Sequence, residues 1–143
     1  MRTLFRAGSN SDISANNAVS DDDWFHVAVT CAAGGTQKLY VDGSVIGSTT
    51  APTAGSTSAM QTLTFGGALN TSGNLVLPFG GYLDEVAIFD SELSSTEITN
   101  LISSHNYTGA TSLYKFEGNA NDSIGNNNGT NNLATFEGDI VGL

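Results

Sequence analysis

The chain has 143 residues, with four Lys or Arg against fourteen Asp or Glu, for a formal net charge of −10. Hydrophobic residues make up 39% and charged residues only 13%, enough apolar material for a core and too little charge for a disordered polyelectrolyte. The 17 glycines and the wealth of Asn, Ser and Thr suit short strands joined by tight turns and exclude a helical bundle. Four cations cannot neutralise a run of phosphates, so nucleic-acid binding is excluded and anionic membranes would repel the chain.

In chain order, Met1–Gly8 holds no apolar stretch of signal-peptide length, so an extracellular role would imply lysis, another export route or a longer parent protein. Trp24–Cys31 has the aromatic and β-branched content of a strand. Its alternation predicts that Phe25, Val27, Val29 and Cys31 face the core, with Cys31 a buried small hydrophobe. Gln37–Val41 and Ser44–Thr49 flank Asp42-Gly43, the turn pair whose two left-handed residues define a tight hairpin. A Ser/Thr/Ala/Pro-rich loop over 50–59 leads to an expected strand at Met60–Gly66, then to a loop over Gly67–Pro78. Phe79–Asp90 is the longest β-like run, and its Gly80-Gly81 pair signals a bulge or a close backbone approach.

A single helix is predicted near residues 94–105. Ser94-Ser95-Thr96-Glu97 fits a capping box, Leu93 and Ile98 fit a hydrophobic staple, and Ile98, Leu101 and Ile102 form one narrow apolar stripe. Ser112–Phe116 reads as a further strand, followed by an Asn/Gly-rich stretch and the apolar segments Leu133–Phe136 and Ile140–Leu143. Eight or nine short strands and one surface helix predict an all-β, antiparallel β-sandwich.

Three segments together resemble the laminin-G-like, concanavalin A-like jelly-roll family. Trp24–Thr30 leading into Leu39–Gly43 is similar to the family's "W-x-H-V-A-V-T … L-Y-V-D-G" strand pair. Gly81–Phe89 with Leu93-Ser94 and Glu97-Ile98 resembles its closing strand and short helix. Leu113–Phe116 through Asn121–Asn126 to Gly129-Thr130 resembles its opening, "Y-x-F … D-S-x-G-N … G-T". The opening motif here follows the closing one. The resemblance therefore implies that residues 1–108 are the middle and closing part of a jelly roll. Residues 109–143 are then either the first strands of a second unit or a permuted segment that completes the first.

Catalysis is not expected. Glycosidases on this fold set paired carboxylates on one parity of a strand, yet on Tyr82–Asp90 the acids sharing parity, Asp84 and Asp90, would lie ~20 Å apart. Only His26 and His105 could serve a hydrolytic triad, and no nucleophile elbow accompanies them. Asp84 shares parity with Val86 and Ile88, so it is expected to point inward and to need a partner. One solution makes Asp84 a calcium ligand, joined by Asp122 and carbonyls of the Asn/Gly loop; the other makes Asp84 a hydrogen-bonded structural residue that fixes a loop. The spacing of Asn119, Asn121 and Ser123 lacks the acids of an EF-hand.

Further candidates have structural readings. His26 is expected to be a hydrogen-bonded strand residue, Asp21-Asp22-Asp23 a solvated loop or a loose cation site at a sandwich edge, and Trp24, Tyr40, Tyr82, Tyr107 and Tyr114 core aromatics or sugar-stacking rings. Lone Cys31 excludes an intrachain disulfide, and no run reaches the ~20 apolar residues of a membrane span. The sequence thus predicts a non-catalytic module of an extracellular or virion surface, binding glycan or protein, with calcium as the candidate cofactor. The competing reading is a structural or decoration subunit of a virion or fibre that self-assembles by strand complementation between identical chains.

Overall fold

The structure is a computed structural model that describes residues 2–6, 12–16, 23–32, 34–50, 63–70 and 72–137. Asp21, Asp22, residues 51–62 and Ile140–Leu143, on which several sequence expectations fall, lie outside them. The chain divides into two compact units, Met1–Thr57 with Asp90–Thr108, and Ser58–Phe89 with Gly109–Leu143. Among the described residues every sheet is antiparallel and the only helix is short, as the all-β sandwich class requires.

The first unit opens with β1 (Arg2–Arg6) paired to β2 (Asp12–Asn16), a hairpin that the sequence did not announce. A three-stranded sheet follows, β3 (Val27–Cys31), β4 (Thr36–Val41) and β5 (Ser44–Thr50), with β4 in the middle. Asp42 and Gly43 take φ of 47° and 76° in the turn between β4 and β5, the paired left-handed geometry for which Asp-Gly is suited. The register slips by one residue between Leu39↔Gly47 and Tyr40↔Val45, which places Ile46 in a β-bulge.

Burial concentrates on the central strand. Leu39, Tyr40 and Val41 are buried, so β4 is covered on both faces. Pairing sets Val27, Val29 and Cys31 opposite Val41, Leu39 and Gln37, and opposite residues share a face. The expected apolar face therefore exists, but its burial stops at the edge strand. Val27 is 49% exposed and Cys31 is exposed, not the buried hydrophobe its parity predicted.

Gln37 is the anomaly of this face. It is fully buried, yet among the described residues neither its amide oxygen nor its amide nitrogen has a hydrogen-bond partner. An unmet buried amide is unfavourable by about 1–3 kcal/mol, whereas an apolar chain of the same shape has nothing to satisfy. Gln37→Met, close in length and shape, is expected to raise unfolding free energy by about 1 kcal/mol in urea titration. A loss of stability would mean that the amide has found a partner in solution.

Helix α1 (Ser95–Ser104) begins as its sequence predicts. Ser94 is the N-cap: its hydroxyl oxygen accepts from the Glu97 N–H at 3.3 Å, and its own N–H donates to Glu97 Oε2 at 2.7 Å. The hydrogen bonds from the Ser94 hydroxyl and N–H hold the Glu97 carboxyl below its ordinary range. His105, left-handed at φ 48°, closes the helix with its N–H on the Leu101 carbonyl. Ile98 is fully buried. Ser94→Ala is expected to lower unfolding free energy by about 1 kcal/mol in denaturant titration.

Among its described residues the second unit carries less regular structure than its sequence suggests. Leu63–Gly67 is irregular where a strand was expected, and a two-residue ladder follows it, β6 (Ala68–Leu69) with β7 (Leu75–Val76). The long run 79–90 yields only β8 (Val86–Ile88), because Glu85 immediately before it sits at φ 49° and breaks the extended chain. β8 pairs with β9 (Ser112–Tyr114). Phe116 leaves β9 at φ 56°, and Leu133–Phe136 forms no strand. Leu113 and Tyr114 are the buried apolar residues of this unit among those described.

Candidate functional site

The second unit builds its display from a buried carboxylate outward. Asp122 is buried, and four backbone N–H groups donate to it: Leu113 at 3.0 Å, Gly125 at 3.0 Å and Ile124 at 3.2 Å to Oδ1, and Asn127 at 3.3 Å to Oδ2. Burial pushes the Asp122 carboxyl up, but hydrogen bonds from Gly125, Leu113, the Ser112 hydroxyl and Ile124 together outweigh it and hold the group well below the usual carboxylate range. Gly125 is required here, since a Cβ would lie 2.5 Å from Asp122 Oδ2 and 2.7 Å from the Thr111 carbonyl. Asp122-Ser123-Ile124-Gly125-Asn126 is therefore a loop wound around one ionised side chain.

The donor chemistry around Asp122 bears on the calcium expectation. A calcium site turns oxygen lone pairs toward the ion, whereas the oxygens of Asp122 are occupied by N–H donors. Asp84 corrects the expectation of an inward carboxylate: it precedes β8, is exposed, and accepts the Glu85 N–H on Oδ1 at 2.8 Å. No group of three or more His, Cys, Asp or Glu side chains suited to a metal ion occurs among the described residues. With its oxygens taken by N–H groups, Asp122 as placed here does not fit a calcium site and serves as a hydrogen-bonded loop anchor.

The anchored loop fixes aromatic rings. Tyr114 donates its hydroxyl to the Asn127 carbonyl at 2.7 Å, which pins its ring. Phe65 lies 5.3 Å from Tyr114 and 6.3 Å from Phe116, and Tyr114 stacks on Phe116 with centroids 6.2 Å apart. Gly66, next in sequence to Phe65, accepts the Phe79 N–H on its carbonyl at 2.8 Å. The β6–β7 turn is braced by Asn70 Oδ1, which accepts from Ser72 at 3.0 Å and Asn74 at 2.9 Å.

Between these ties runs an apolar loop in solvent. Val76, Leu77, Phe79, Tyr82 and Leu83 are all exposed, Leu77 to 81% and Tyr82 to 60%. Leu77 adopts φ 51°, a conformation unusual for a bulky residue. The Gly80-Gly81 pair shows no close backbone approach: a Cβ on Gly81 would meet only the Phe79 ring, at 2.8 Å, and one on Gly80 would meet nothing within 4 Å. Only Tyr82 and Tyr114 of this cluster were candidates from the sequence. Phe65, Leu77 and Phe79 were not; for Phe79, strand-like patterning gave no sign that the run 79–85 would leave the sheet.

The remaining candidates lie in the first unit. His26 exchanges backbone hydrogen bonds with Asp42, its N–H to Oδ1 at 3.0 Å and its carbonyl from the Asp42 N–H at 2.9 Å. Its ring departs from the expected pattern: Nδ1 is buried with no partner among the described residues, and burial lowers the imidazole pKa, against Asp42 and with His105. Trp24 is partly exposed and Tyr40 is core.

Comparison with known proteins follows the same lines. No curated protein matches the chain. A crystal structure of an S-layer domain-containing protein from Clostridium thermocellum is similar, with a TM-score of 0.50 and 24% identity over 70% of this chain. This chain spans 50% of that structure's length, and the likeness is one of fold. Among described residues no helix is long and apolar enough to cross a membrane. A laminin-G-type family model matches residues 2–99, well over half of the sequence, and the chain belongs to the concanavalin A-like lectin/glucanase superfamily.

Proposed function

We propose that the chain is a non-catalytic recognition module of an extracellular surface, binding glycan or protein through the loop between β7 and β8. The observation that carries this reading is the set Val76, Leu77, Phe79, Tyr82 and Leu83, held in solvent by a backbone tie at Gly66. Apolar side chains grouped on a short braced loop mark interaction sites more often than chance exposure does. Aromatic rings with a fixed pose lose little entropy when a flat apolar surface, such as a sugar's C–H face, settles on them. A net charge of −10 favours neutral or cationic partners.

Membership of a lectin-containing superfamily supports this reading, and the structural neighbour's being an S-layer domain-containing protein supports a surface location. The pairing of Ser112–Tyr114 with Val86–Ile88 supports residues 109–143 as a permuted segment completing one jelly roll. Binding of the purified chain to a panel of immobilised neutral polysaccharides and cell-surface proteins tests the proposal. Tyr82→Ala and Phe79→Ala are each expected to weaken binding by about ten-fold while leaving the melting temperature nearly unchanged. Assembly of the chain with no binding signal would support the structural-subunit reading instead.

A further inference from the structure

We propose that Asn128 is a latent self-modification site, an Asn-Gly pair whose cyclisation the native fold holds off. Asn128 is the only Asn in the chain followed by Gly. In an open chain such a pair is labile, because the unhindered glycine nitrogen can reach the asparagine side-chain carbonyl. The Gly129 backbone nitrogen loses its proton and bonds to Asn128 Cγ, and the Asn128 side-chain nitrogen leaves as ammonia. The resulting five-membered imide takes up one water and opens to aspartate or isoaspartate, the latter with the backbone rerouted through Cβ and Cγ.

The folded loop restrains both reactants. The Gly129 N–H donates to the Ala120 carbonyl at 2.8 Å, and Asn128 Oδ1 accepts the Asp122 N–H at 3.0 Å. The nucleophile is thus held as a hydrogen-bond donor, and the side-chain amide cannot rotate toward it without giving up its own bond. The same contacts explain why this pair stands here. A side chain at 129 would meet Ala120, with Cβ 3.0 Å from the carbonyl oxygen and 3.2 Å from the Ala120 Cβ, so glycine suits the close approach. An Asn at 128 supplies the acceptor for the Asp122 amide. Packing selects two residues that are chemically unsafe side by side, and the bonds that select them suppress the reaction.

Conversion would then mark molecules that have opened, since a reaction confined to the open state follows its population. Isoaspartate would lengthen the backbone between Asn127 and Gly129, and the Tyr114–Asn127 and Gly129–Ala120 bonds could not both re-form. The mark would therefore weaken the anchor of the aromatic cluster irreversibly.

The test incubates the wild-type chain at mildly alkaline pH, native in one arm and urea-unfolded in the other. Peptide mapping follows amide-to-acid conversion and separates isoaspartate. Conversion in urea is expected first at Asn128, ahead of Asn126 and Asn127, and about ten-fold or more slower in the native arm. Chains carrying isoaspartate at 128 are expected to melt lower than untreated chains after return to buffer. Equal rates in the two arms, a different leading site in urea, or an unchanged melt of the converted chain would each overturn the proposal. None of these outcomes bears on ligand recognition by the β7–β8 loop, which is tested separately.

Discussion

Asp122→Ala is expected to lower the melting temperature by on the order of 10 °C, with the loss equal in calcium-containing and chelator-containing buffer. The substitution leaves the N–H groups of Leu113, Ile124, Gly125 and Asn127 without their acceptor, and partly buried amide donors are unfavourable when unmet. It also frees the Ser112 hydroxyl, so the loop, β9 and the Tyr114 ring loosen together. Asp122→Asn separates charge from shape: its amide oxygen can still accept, but the amide nitrogen meets the Asn127 N–H donor to donor. An intermediate loss is expected for it. A loss seen only in calcium would reinstate the metal reading.

The pH dependence has a fixed sign. The folded carboxyl titrates below its ordinary value of 3.8, so the folded state binds fewer protons than the unfolded state in acid. Its stabilising contribution is complete above the unfolded pKa and is lost as pH falls below that value toward the folded one. Wild type should therefore lose melting temperature below about pH 4 more steeply than Asp122→Ala, whose curve lacks this group.

Legibility in the sequence tracked how local the deciding interactions are. The Asp42-Gly43 hairpin and the Ser94–Glu97 cap are closed by residues within four positions of one another, and both were readable from residue types alone. The failures involve neighbours far along the chain. Cys31 and Val27 have the alternation of a core face, but β3 is an edge strand of its sheet, and which strand takes the centre is not written in the period. The run 79–90 has strand composition throughout, yet a positive φ at Glu85 and a tie from Phe79 to Gly66 release its first half as a loop. Asp84 followed that run out of the sheet, and its inward parity went with it. Asp122 was visible as a residue worth attention, whereas its role depended on Leu113, nine positions earlier in the chain. The orphaned Gln37 amide had no sequence signal, because burying a glutamine runs against its type.

Helix α1 provides the second large effect. Ile98→Ala is expected to lower unfolding free energy by about 3 kcal/mol in denaturant titration, and Ile98→Val by about 1. Ile98 is the one helical residue with no solvent exposure, while Leu101 and Ile102 are only partly covered. The helix also lies over the β4–β5 turn, where a Cβ on Gly43 would come within 3.3 Å of Thr99 Oγ1 and 3.5 Å of Ile102 Cδ1. A ten-residue helix has little stability of its own, so its cap can set where it begins but cannot hold it in place. Truncating the side chain that docks it should therefore act twice, by removing buried surface and by uncoupling the helix from the sheet. Native-state hydrogen exchange distinguishes the two: in Ile98→Ala the amides of Leu101–Ser104 should exchange well before those of Leu39–Val41, by partial opening. If helix and sheet amides in the variant continue to exchange together, Ile98 contributes packing energy only, and the helix is held to its unit by the Gly43 contact and its cap.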